Sequence, residues 1–154
     1  MEQTIIKHLN YWYYGMMLLA VIIAVLSYYS LTTGFLSPLD PMSESGKLTQ
    51  YIAIISTIIT IPASLYGHKR KCEKLSLETD QERQLRGYKS SARLRIITIG
   101  IMLNCSIAAY YHLGGYQSMI WLAGIAAIGL YFAKPTIGKM QQELQPKDPN
   151  QETY

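Results

Sequence analysis

The sequence predicts an all-α membrane protein with four transmembrane helices in a small bundle, one reading of which is two repeated helical hairpins. Three observations carry this expectation. Charged residues make up 16% of the 154 residues, against roughly 25% in an ordinary soluble domain. They are also segregated: no Asp, Glu, Lys or Arg occurs between Lys7 and Asp40, between Lys47 and Lys69, or between Arg95 and Lys134. Most of the 13 tyrosines gather where these uncharged runs end, and an apolar ring with a hydroxyl suits the headgroup level of a bilayer.

A bilayer core of roughly 30 Å takes about 20 helical residues. The first expected span is 11–31. It follows a single basic residue, Lys7, and no small-x-small site follows it. Its run exceeds the roughly 7–15 apolar residues of a signal peptide, so a retained helix is expected. The second span is 48–66, where Pro62 should cause only a mild bend near the helix end. The third is 96–113 and the fourth, the shortest, is 117–133. All are continuous apolar runs rather than the in-out alternation of a membrane barrel.

Connection 67–95 holds Lys69, Arg70, Lys71, Lys74, Arg83, Arg86, Lys89, Arg93 and Arg95. Such a concentration marks the cytoplasmic side. Four spans then put both termini there, in a cell-membrane protein. The connection also carries helical stripes: Leu65, His68, Cys72 and Leu75 on one arm, and Leu85, Tyr88, Ala92 and Ile96 on the other. Thr79 and Glu82 fit a capping box between them, with Asp80 in the first turn. An antiparallel helical hairpin is expected, its second arm weakened by Gly87. Lys69, Arg70, Lys71, Arg93 and Arg95 are expected to face anionic headgroups of the lipid bilayer, or an acidic partner. No nucleic-acid reading motif accompanies the charge. Segment 135–154 reads as a cytoplasmic tail, with a short helix from Thr136 to Leu144 and disorder beyond Pro146 and Pro149.

"SYYSLTTGF" (27–35) and "AYYHLGGY" (109–116) both set a Tyr pair, a Leu and a Gly at the end of an apolar run. One reading is a duplicated hairpin related by an axis along the membrane normal. The other is that two outer interfaces collect the same residue types.

Within the spans no ionisable group lies deep, since His8, His68 and His112 fall at boundaries. That argues against proton-coupled transport. Neutral polar and small residues do form stripes. Ser56, Thr60 and Ser64 recur every fourth residue beside Ala53 and Thr57. Gly100, Asn104 and Ala108 share a second stripe, and Ala123 and Ala127 a third. They are expected to pack helices closely, with Asn104 bonding across a contact, or else to line a conduit. Cys72 and Cys105 form no disulfide framework and match no metal spacing. No catalytic set is identifiable. The expected function is a non-enzymatic accessory or scaffold subunit without a cofactor, acting through helix contacts with a membrane-protein partner or a second copy. The alternative is a passive channel or carrier for a small solute.

Overall fold

The computed structural model describes residues 1–145, and among them the chain forms five helices and no strand. They are α1 (Glu2–Thr32), α2 (Glu44–Leu75), α3 (Gln81–His112), α4 (Gln117–Phe132) and α5 (Ile137–Leu144). The expected spans fall on α1 to α4, but α1 begins nine residues before its apolar run. Ile5, Ile6 and Leu9 lie on one face of that added stretch and are buried, and their packing extends the helix. α2 continues unbroken through Pro62. The expected disorder beyond Pro146 lies outside the described residues.

Helix ends follow local chemistry. Ser43 caps α2, its hydroxyl accepting from the Gly46 N–H at 3.0 Å. Asp80 caps α3, a carboxylate oxygen accepting from the Glu82 N–H at 3.0 Å. This corrects the expected Thr79–Glu82 box: an aspartate is the stronger N-cap, and it reaches the free N–H of the second helical residue directly. Thr136 caps α5, so the helix expected from Thr136 begins one residue later, at Ile137. Gly114 and Gly115 turn the chain between α3 and α4 with φ of 63° and 87°, a region other residues enter at a cost.

α1, α2 and α3 are each long and apolar enough to cross a membrane. α4, with 16 residues, reaches that length only together with α5, from which it is bent by 78°. At 32 residues each, α2 and α3 are about 48 Å long. They overshoot a bilayer core by about three turns, and the overshoot is the hairpin expected in connection 67–95. Gly87 has a use there. A Cβ at this position would stand 2.6 Å from Leu75 Cδ2, so its absence lets the two arms close.

α3 is the hub of the fold. α1, α2 and α4 all pack on it, α4 also meets α2, and α1 and α2 scarcely touch. Gly100 admits α1 closely: a Cβ there would lie 2.7 Å from Met16 Cγ. These pairings correct the duplication reading, because a repeat would require α1 to pair with α2 as α3 pairs with α4. The long connection 33–43 leaves α1 and α2 free to pack on α3 separately, whereas the Gly114–Gly115 turn keeps α3 and α4 together. The two Tyr pairs differ as well, Tyr28 and Tyr29 being exposed and Tyr110 and Tyr111 half-buried.

The start of α1, the hairpin arms and α5 meet at one end of the molecule, the hairpin end. Ile5, Leu9, Cys72, Leu85, Tyr88 and Met140 belong to one core there. Gln141 Nε2 of α5 donates to Glu2 Oε2 of α1 at 3.1 Å.

Candidate functional site

α5 is amphipathic, with Met140 and Leu144 buried on its inner face. Glu143 lies on that same face, one residue from Leu144, and is carried into the hairpin. Two elements then converge on this carboxylate. Glu143 Oε2 accepts from the Tyr88 hydroxyl of α3 at 2.9 Å and lies 3.2 Å from His68 Nε2 of α2. Glu143 Oε1 accepts from Arg95 Nη1 at 3.4 Å. His68 Nδ1 lies 2.9 Å from the Ser91 hydroxyl. One turn along α2, Cys72 Sγ stands 3.4 Å from His68 Nε2. The His68 and Tyr88 rings meet edge-on with centroids 5.5 Å apart. A cavity of about 540 Å³ opens beside the cluster, bordered by His68, Lys69, Cys72, Arg95 and Glu143.

The electrostatics follow from burial and neighbours. Burial alone would raise the Glu143 carboxyl. The His68 hydrogen bond, the Arg95 charge and the Tyr88 hydroxyl outweigh it and hold the group at about 2. Burial lowers His68 below its usual 6.5, against the opposing effect of Glu143. At neutral pH the pair is therefore a neutral imidazole on a carboxylate. Nε2–H donates to Glu143 and Nδ1 accepts from Ser91, the tautomer that satisfies both contacts. Burial and the Glu143 charge push the Cys72 thiol up to about 11 and the Tyr88 phenol upward, so both stay protonated.

The site places Arg95 where charge counting did not. It is only 5% exposed and cannot face headgroups, while Lys69, Arg70, Lys71 and Arg93 are exposed. Arg95 follows Ser91 by one turn and Tyr88 by two, so it shares their inward face. Its Nε and Nη2 are buried with no hydrogen-bond partner among the described residues. Sequence reasoning saw the His68–Cys72 and Tyr88 stripes but missed Glu143 and Ser91. The available signal was a glutamate beside Met140 and Leu144 on the apolar face of a short amphipathic segment.

The expected packing residues divide. Gly100, Asn104 and Ala123 are buried and Ala127 is half-buried, but Ala108 is exposed. Residues four apart drift by about 40° per step around a helix, and two steps turn Ala108 out of the row. Asn104 does not bridge helices: its Nδ2 donates to the Gly100 carbonyl of its own helix at 2.7 Å, and Oδ1 has no partner among the described residues. Ser56, Thr60 and Ser64 are half-buried along the α2–α3 seam. Ser56 borders a recess of about 310 Å³ with Thr57 and Cys105. Thr60 and Ser64 border another of about 400 Å³ with Lys71, Ser91 and Arg95. Asn104 borders neither recess. No protein-family model, curated protein or solved structure matches this chain.

Proposed function

We propose that the chain is a small multi-pass integral membrane protein that works without catalysis. It acts as an accessory or scaffold subunit through its helix surfaces, with the hairpin end and both termini in the cytoplasm. The observation that carries this is the breadth of exposed apolar surface over uncharged stretches. Leu18, Val21 and Val25 of α1, Ile55, Ile58 and Ile59 of α2, and Trp121 and Ile128 of α4 all stand outward. Soluble monomers rarely expose contiguous apolar patches beyond roughly 300–600 Å², whereas lipid suits such a belt. The exposed Lys69, Arg70, Lys71 and Arg93 favour a cytoplasmic hairpin end. A scaffold is favoured over a conduit because Asn104 bonds within its own helix and borders neither α2–α3 recess, so it does not join Thr60 in a polar file.

Cys105 supplies the test. It is exposed on α3 beside the α2–α3 seam, while Cys72 is buried. A thiol-directed photocrosslinker attached to Cys105 in native membranes should yield an adduct of discrete higher mass, containing a second membrane protein or a second copy. Adducts with lipid alone would contradict the scaffold. Release of the chain from membranes by alkaline washing would contradict membrane integration itself.

A further inference from the structure

We infer that His68, Cys72 and Glu143 form a binding site for a zinc-class divalent cation, whose fourth coordination position opens onto the cavity beside them. The three residues place one ligand atom each within 4.8 Å of the others. Two of the spacings match what a tetrahedral ion needs. With Zn–N and Zn–O bonds of about 2.0–2.1 Å and a Zn–S bond of about 2.3 Å, the N···S and N···O edges are about 3.6 and 3.3 Å. His68 Nε2 lies 3.4 Å from Cys72 Sγ and 3.2 Å from Glu143 Oε2. A small side-chain rotation closes the third edge.

The surroundings suit a ligand set. His68 and Cys72 are one turn apart on a continuous helix, which holds two donors on one face at low entropic cost. Ser91 stands 2.9 Å from the other ring nitrogen of His68, where it can accept from Nδ1–H and leave the Nε2 lone pair for the metal. Arg95 holds Glu143 by Oε1 and Tyr88 reaches Oε2, so both orient the carboxylate from outside the coordination sphere. One nitrogen, one sulfur and one oxygen select a borderline ion over Mg²⁺ or Ca²⁺, which take oxygen ligands. On coordination the thiol releases its proton, while the His68 proton passes from Nε2 to Nδ1 with no net loss, and the thiolate and carboxylate together neutralise the dication. Three protein donors with water in the fourth position describe an exchangeable site rather than a closed structural one. Because the donors come from α2 and α5, the ion would also fasten α5 to the hairpin.

The test is cobalt titration of the full chain, purified in detergent without a polyhistidine tag. One equivalent of Co²⁺ should produce a thiolate-to-cobalt charge-transfer band together with visible bands of four-coordinate intensity, and Zn²⁺ should abolish both. Cys72→Ser and His68→Ala should lose the spectrum, while Cys105→Ser keeps it. Ser91→Ala should keep the spectrum but weaken affinity about 10–100-fold. Zn²⁺ should raise the Tm of the wild-type chain and leave that of Cys72→Ala unchanged. A helical, folded wild-type chain that gives no charge-transfer band would overturn the inference, even if the variants fail to fold. A full spectrum retained by Cys72→Ser would overturn it equally.

Discussion

The two ends of α3 are closed by different chemistry. At the hairpin end, side chains from distant parts of the chain bind one another: Tyr88, Arg95 and His68 meet Glu143, and Glu2 meets Gln141. At the other end the closure is mostly backbone and apolar. The Leu39 N–H donates to the His112 carbonyl at 2.8 Å. The Gly115 N–H donates to the Tyr110 carbonyl at 2.9 Å. Leu113, Met119 and Leu122 form a small core of their own. A backbone closure loses one contact at a time. A buried polar cluster fails as a unit, because removing one member strands the others without water.

The largest expected effect is therefore at Glu143. Glu143→Ala leaves Arg95 buried without its carboxylate and removes a partner from Tyr88 and His68. Thermal unfolding in detergent should show a loss of about 3–5 kcal/mol. A loss below about 1 kcal/mol would mean that the cluster is not a unit.

Acid should attack the same end with a related magnitude. Glu143 is held at about 2 against its usual 4.5, so the unfolded chain binds the extra proton between those values and stability falls as pH drops through that window. The total is on the order of 3 kcal/mol. His68, lowered below 6.5, acts with the same sign, and its loss begins as pH falls below 6.5. On the alkaline side Cys72, raised from 9.0 to about 11, keeps its proton in the folded chain while the unfolded chain loses it. Stability then declines as pH rises through that interval. A plateau between about 6.5 and 9 is expected in Tm against pH. Glu143→Gln should flatten the decline between 4.5 and 2 while leaving the alkaline decline in place.

The opposite end should respond locally. Gly114→Ala places a Cβ at φ of 63° and 3.3 Å from Pro38 Cβ, for a cost of about 1–2 kcal/mol. Amide exchange should quicken around 113–117 and stay unchanged at 81–88. The smallest effect is expected midway along α3. Among the described residues Asn104 bonds only to its own helix and carries an unpartnered oxygen, so Asn104→Leu should change stability by less than about 1 kcal/mol.

The same contrast explains what was legible in the sequence. Periodicity found α2, α3 and their overshoot because Leu65, His68, Cys72 and Leu75, and Leu85, Tyr88 and Ala92, repeat at helical spacing. Thr136 and the pattern after it located α5. Arg95 was misplaced because charge composition averages over a connection, and only position relative to Tyr88 and Ser91 separates it from the exposed Arg93. Its reason for facing inward stands 48 residues away in Glu143, beyond any local window. The paired "YY" segments misled in the opposite direction, since similar composition at two helix ends does not fix which helices pair.

The central claim, that Glu143 holds the hairpin end together, is tested most directly by hydrogen–deuterium exchange on the full chain and on Glu143→Ala. The account predicts slow exchange at 71–75 and 81–88 in the wild-type chain, quickened by the substitution, with 113–122 unchanged. Wild-type exchange at 71–75 and 81–88 as fast as in an unstructured peptide, or protection there that survives Glu143→Ala intact, would contradict it.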